Sequence, residues 1–457
     1  MLKKHWRKLL AASLIVGNIF CLPVADAEVK TYTAMGVDYG NEIESQDMVK
    51  LRARDKAIKN AVKQAGVYLK SYSRTVNNEL TDDEITAITS NAYEVVGEVK
   101  YNRVVKQVSD QITLIMWEAT VDVKVDDSEI TKWAKRDDSE RSTLINQTRE
   151  TNEAFAENER KVEDLRKRAQ NVTDDAGRAQ LKKEFEQVDN EFLYNQKIEE
   201  GNRASYKGDS ARAEKFYTEA IELNPNNPKA YAMRGNLYSA NLIAYKYNLK
   251  DLKLKSHGNS AKTYYELSLT DFSKAIELEP DNAQFYADRG YAHQNFEKYP
   301  QALTDYSRAL QIDSACLQAY MYRSIYYRFV KKDNKLALAD LNKAIELNPD
   351  KAGGYSMRSL IYKEEEKYDL ALDDLDKAIA LEPNNMHFYY FRGDVYQKAK
   401  MYKRAIDDYS KYIEISERED PTNVLLCWMY YHRSECYTAL SETSKAQADM
   451  KKYEELK

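Results

Sequence analysis

YADRGYAH at Tyr286–His293 decides how this chain reads, because near-copies recur as YAMRGNLY at Tyr231, YMYRSIYY at Tyr320, YSMRSLIY at Tyr355, YYFRGDVY at Tyr389 and YYHRSECY at Tyr430. A second phrase follows each: DFSKAIELEP from Asp271, DYSRALQID from Asp305, DLNKAIELNP from Asp340 and DLDKAIALEP from Asp374, with looser forms at Asp408 and Asp449. Successive first tyrosines are 55, 34, 35, 34 and 41 residues apart, so one unit of about 34 residues repeats with two insertions. A degenerate earlier copy, GNRASY followed by FYTEAIELNP, begins near Tyr194 and brings the count to seven.

Helix-forming residues fill each unit, and a proline closes the second phrase at Pro225, Pro280, Pro349 and Pro383. The spacing therefore predicts two helices per copy. With position 1 at Tyr194, Pro228, Ala283, Leu317, Ala352, Met386 and Cys427, position 20 is always small (Ala213, Ser268, Ala302, Ala337, Ala371, Ala405, Ala446). Small residues there let two helices approach closely. This pattern, over more than half the chain, is identified as that of the tetratricopeptide repeats. The resemblance implies a mostly α fold with a seven-repeat α-solenoid over residues 194–457, in which helix A of each copy lines a concave protein-binding surface.

In that family positions 2, 5, 9, 12 and 13 face the groove. Carried onto this chain, they give an apolar and aromatic stripe of Met321, Ile325, Phe329, Leu360, Tyr390, Trp428 and Tyr431, extended by Tyr291. The family's clamp for a C-terminal carboxylate needs Lys and Asn side chains together in the first three repeats. Here Asn202 and Asn236 stand with Ile198, Met233, Gln284 and Asp288, which argues against a chaperone-tail receptor.

Copies two to seven carry Arg at position 7 (Arg234, Arg289, Arg323, Arg358, Arg392, Arg433) and Asp at 23 (Asp271, Asp305, Asp340, Asp374, Asp408, Asp449). Copy one has Glu200 and Phe216 instead, and this joint loss predicts that each pair forms within its own copy. Positions 21 and 28, apolar in copies two to six, become Gln447 and Glu454 in copy seven, the polar face expected of a terminal repeat. The excess of copy two lies between Tyr238 and Ser268 and holds Lys246, Lys250, Lys253, Lys255, His257 and Lys262, either a solvated loop or a basic lure for an anionic partner.

The chain opens with cationic MLKKHWRK, apolar LLAASLIVGNIF and the small-x-small site Ala25-Asp26-Ala27, which predicts a cleaved secretory signal over residues 1–27. Export to the periplasm or surface of a bacterium follows, with no membrane span left after cleavage. Those residues carry four cations and one anion, so their removal takes the net charge from −5 to −8, which argues against a nucleic-acid partner.

Residues 28–127 read as a small α+β domain: alternating VKTYTAMGV, an amphipathic helix through AIKNAV, and a hairpin of YEVVGEVKYNRVVKQV and QITLIMWEATVDVKV. The order β-α-β-β resembles the N-terminal domain of flagellar assembly protein T and related bacterial envelope lipoproteins, which implies docking in the cell envelope. Residues 128–193 are charged and helical, with a 4-and-3 seam through Leu144, Thr148, Thr151, Phe155, Asn158, Val162, Leu165, Ala169 and Val172 that resumes at Leu181, Phe185, Val188 and Phe192. A helical hairpin or a coiled-coil dimer, and with it self-association, would bury that seam.

Chemistry is hard to find. His257, His293, His387 and His432 fall in different repeats without metal-ligand spacing, and no Gly-rich phosphate loop occurs, so neither metal nor cofactor is expected. After signal removal three cysteines remain, and Cys427 and Cys436 stand about 13 Å apart along one predicted helix, too far for a disulfide. The expected function is a non-enzymatic, exported scaffold that binds a segment of another cell-envelope protein in its groove. Two alternatives are a structural part of a surface or flagellar-type assembly, and an envelope hydrolase.

Overall fold

The computed structural model describes residues 29–75, 80–109, 112–126, 128–134, 138–247, 260–419 and 425–456. The expected signal segment and Lys250, Lys253, Lys255 and His257 lie outside the described residues.

Strands β1 (Val29–Gly40), β2 (Glu94–Ser109) and β3 (Ile112–Asp126) form an antiparallel sheet in the order β1-β3-β2. Helix α1 (Gln46–Thr75) lies on one face, packing Ala53, Ala57, Ala61 and Leu69 against Ala119, Val121, Val123 and Val125. The approach is close enough that a Cβ on Gly36 would come within 2.1 Å of the Ala57 amide nitrogen, so β1 needs glycine there. The β-α-β-β expectation omits one element. TDDEITAITSNA holds a second helix, α2 (Asp82–Ala92), capped reciprocally by Thr81 and Glu84 and burying Ile85, Ala87 and Ile88.

Helices α3 (Ser128–Ala134), α4 (Asp138–Ala169) and α5 (Asp175–Tyr206) follow. The heptad seam closes on itself: Phe155 meets Phe192 edge to face at 5.4 Å, and the Asn158 side chain donates to the Val188 carbonyl at 2.7 Å. Lys161 pairs with Glu191 and Arg168 with Glu184, so α4 and α5 run antiparallel as a hairpin. Among the described side chains of 141–206 no large apolar one is exposed, which removes the seam a coiled-coil dimer would need.

A buried charge network fastens this hairpin to the sheet domain. Arg52 of α1 donates to Asp38 (3.0 Å), Glu44 (2.5 Å) and Asp189 of α5 (2.6 Å), while Arg166 of α4 reaches Asp38 and Glu44 at 3.0 and 2.8 Å. Burial raises the Asp38 carboxyl, but Arg166, Lys56 and Arg52 outweigh it and hold that group below the usual carboxylate range. Residue 194 falls inside α5, whose last turns are helix A of the first repeat, so hairpin and array share one continuous helix.

The array continues with α6 (Ser210–Leu223), then the A and B pairs α7 (Pro228–Tyr247) and α8 (Ala261–Leu278), α9 (Ala283–Asn295) and α10 (Tyr299–Ile312), α11 (Leu317–Tyr326) and α12 (Asn334–Leu347). Helices α13 (Ala352–Glu364) and α14 (Tyr368–Leu381), α15 (Met386–Lys398) and α16 (Tyr402–Glu419), and α17 (Leu426–Ala439) and α18 (Thr443–Leu456) complete it. All six Arg–Asp pairs form within their copies, each through Nε and Nη2, as Arg358 does to Asp374 at 2.9 and 2.6 Å. In five of them Nη1 also reaches helix B of the preceding copy, at Thr218, Ser273, Asn342, Asp376 or Ser410. Each such arginine therefore ties three helices. Part of the excess of copy two lengthens α7, burying Leu242 and Ile243. The extra residue of copy four is absorbed as a π-helical turn, Tyr327–Lys331.

Candidate functional site

Helices A touch at α7 against α9, α9 against α11 and α13 against α15, and the free sides of the helices A make the inner face. On it Tyr291 of α9 stacks on Tyr322 of α11 with ring centroids 4.2 Å apart, and Tyr322 in turn approaches buried Tyr306 at 6.3 Å. Met321, Ile325 and Phe329 are half-buried beyond them, the first two over the Leu341–Met357–Ile361 core. Leu360 and Tyr390, by contrast, are 3% and 7% exposed, covered by neighbouring helices, and are closed to a partner in this conformation. Trp428 and Tyr431, half-buried, form a second aromatic group with Tyr453 at 5.5 and 5.3 Å. The stripe is thus two patches rather than one.

Ion pairs cross the gap. Arg328 pairs with Glu364 at 2.8 Å and Lys363 with Asp394 at 2.6 Å, linking helices A of copies four, five and six. Gln397 continues the line by donating to Glu435 at 3.2 Å. Near the Tyr291–Tyr322 stack, Asp288 accepts from Gln284 Nε2 at 2.7 Å and from Asn236 Nδ2 at 3.5 Å, and burial pushes its carboxyl up to about 6.

Profiles of the tetratricopeptide repeat match residues 204–227, 216–252 and 357–423. The array is built of tetratricopeptide repeats. Small glutamine-rich tetratricopeptide repeat-containing protein 2 of Saccharomyces cerevisiae is 30% identical over 103 residues, 22% of this chain and 30% of that protein, so this chain spans under a third of it. A tetratricopeptide repeat protein from Parabacteroides merdae is similar in structure over 58% of this chain and 93% of its own, at 22% identity and a TM-score of 0.38. PilW, described as a type IV pilus biogenesis factor, matches over 47% and 90% at 14% identity and a TM-score of 0.38. YrrB, described as having an unusual peptide-binding site, matches over 46% and 95% at 23% identity and a TM-score of 0.31.

Tetratricopeptide repeats are typically non-catalytic and take protein partners. Among the described residues no group of His, Cys, Asp and Glu is placed to hold a metal ion. Burial pushes His387 down to about 4 and lowers His293, whose Nδ1 lies 2.9 Å from the Tyr265 hydroxyl. Cys316, Cys427 and Cys436 are buried and joined in no disulfide, with Cys436 pushed up to about 12 by burial. No described helix is long and apolar enough to cross a membrane. Of the basic insertion, Lys246 donates to the Asn295 carbonyl and to Glu297, and Lys262 pairs with Glu266 on an exposed face.

Tyr322 and Asp288 both stand at position 6, outside the groove positions of the family pattern. The signal for Tyr322 was an aromatic one residue after the expected Met321, within the blur of a helix face.

Proposed function

We propose that this chain is a non-enzymatic, exported scaffold that holds a segment of another cell-envelope protein along the inner face of copies three and four. The observation that carries this reading is the patch of Tyr291, Tyr322, Met321, Ile325 and Phe329, half-exposed rings and aliphatic groups on the free side of packed helices. A partner segment that covered it would gain apolar burial at little ordering cost to the scaffold. The Arg52–Arg166 network and the shared helix α5 fix the sheet domain, hairpin and first repeat to each other, which suits a part that presents one surface from a docked base. Export rests on the pattern of residues 1–27, and docking on the resemblance of the sheet domain to envelope proteins.

The test is affinity capture by the full chain from envelope extract, comparing the parent with Tyr291→Ala/Phe329→Ser and with Leu370→Ser, an exposed helix B control. Capture lost only in the inner-face variant supports the reading. Equal capture by all three, or detection of the protein in the cytoplasmic fraction alone, contradicts it.

A further inference from the structure

Two sets of carboxylates in the array are met by cations. The position-23 aspartate of each of copies two to seven faces its own arginine, and on the inner face Glu364 faces Arg328 and Asp394 faces Lys363. Asp288 belongs to neither set. Its side-chain hydrogen bonds come from two neutral amides, Gln284 and Asn236, and among the described residues no cation lies within ion-pairing distance of it. The neighbouring Arg289 is already committed to Asp305 through both Nε and Nη2.

A carboxylate offers about four lone-pair sites, and the two amides orient this one while leaving about two for another donor. Tyr291 stands one turn further along α9, on the same side of the helix, with its ring stacked on Tyr322. That places a half-buried, uncompensated negative charge at the foot of an aromatic wall. We infer that this point of the inner face recognises a basic side chain, with Asp288 taking the lysine or arginine of an otherwise apolar partner segment while Tyr291 and Tyr322 pack along its stem. The charge supplies what the protein itself withholds, and the rings add cation–π attraction and cover the aliphatic part of the side chain. The inference rests on the reading of the inner face as the docking surface, and it names the partner chemistry at one position of it.

Selection of short random peptides displayed on phage against the immobilised full chain tests it, followed by fluorescence polarisation with the enriched peptides made synthetically. The expected result is enrichment of sequences with one Lys or Arg at a fixed distance from apolar residues. Their affinity should fall at least about tenfold on Asp288→Asn, an isosteric change that keeps a hydrogen-bonding side chain beside the two amides. Changing that Lys or Arg to Gln in the peptide should cost a similar factor and should cost nothing further in the variant. Enriched peptides without a basic residue, or affinity unchanged in Asp288→Asn while Tyr291→Ala abolishes it, would overturn the inference and leave the inner-face reading standing. Selection of no peptide that depends on either residue would overturn both.

Discussion

Removing one carboxylate from the array's repeating arginine pair should loosen the two helices of one repeat and nothing else. In Asp374→Asn, Arg358 loses the charge that now accepts from its Nε and Nη2 at 2.9 and 2.6 Å and faces one amide oxygen and one amide NH2 instead, while the bond from Nη1 to Asn342 at 2.6 Å remains. Breaking a fully buried pair costs about 3–5 kcal/mol. Asp374 is 7% exposed but Arg358 is 20% exposed, so water and Asn342 recover part of that and the expected loss is about 2 kcal/mol. Stacked repeats sense mainly their neighbours, so the loss should appear locally. Hydrogen exchange of the full chain should show amides of α13 and α14 exchanging roughly 30-fold faster, with β2 and β3 unchanged. The double variant Arg358→Met/Asp374→Leu should recover most of the loss, since an apolar pair leaves no charge unmet. Unchanged exchange in the single variant, or a double variant more labile than the single one, would refute this account of the pairs.

Three further outcomes are expected. Asp288 stands at about 6 against about 3.9 for a free aspartate, so the folded chain holds more protons between those values and stability falls as pH rises through them. At about 1.36 kcal/mol per pH unit, reduced for partial exposure, Asp288→Asn should gain roughly 1–2 kcal/mol above pH 6 and nothing below about pH 4; thermal unfolding curves with equal gains at both would contradict the assignment. Arg52→Met leaves three buried carboxylates short of a cation and should cost about 3 kcal/mol or more, read as new proteolytic cleavage between the sheet domain and the hairpin; a resistant variant would show that the network does not fasten them. Gln447 and Glu454 are both exposed on α18, so Gln447→Leu/Glu454→Ile should associate end to end in sedimentation, and a monodisperse variant would contradict the terminal-face reading.

The repeats were legible because their signals are redundant: the period, the small residue at position 20 and the joint loss of Arg and Asp in copy one each point to the same helix pairing. Even the 35-residue spacing after Tyr320 had a structural meaning, the π-helical turn at Tyr327–Lys331, although spacing alone does not say where the extra residue goes. Helix α2 is weakly written in the sequence because Thr, Ser and Asn are poor helix formers and its stability comes from burying Ile85 and Ile88 in the sheet domain's core. Its capping box, Thr81 with Glu84, was the available clue. The inner face was only partly legible. Position numbers pick the side of a helix, but burial depends on the next helix, so Leu360 and Tyr390 turned out covered. Asp288 stood out in the sequence only as a residue that spoils a carboxylate clamp, and its lack of a cation shows only in three dimensions.

Site-specific photo-crosslinking in the native cells tests the central claim most directly, with a benzophenone side chain placed in the full-length chain at Phe329 on the inner face or at Leu370 on an exposed helix B. The account predicts a discrete protein adduct from Phe329, with the crosslink mapped to one segment of the partner, and none from Leu370. Adducts from Leu370 with none from Phe329 would place the partner on the wrong side of the repeats and contradict it.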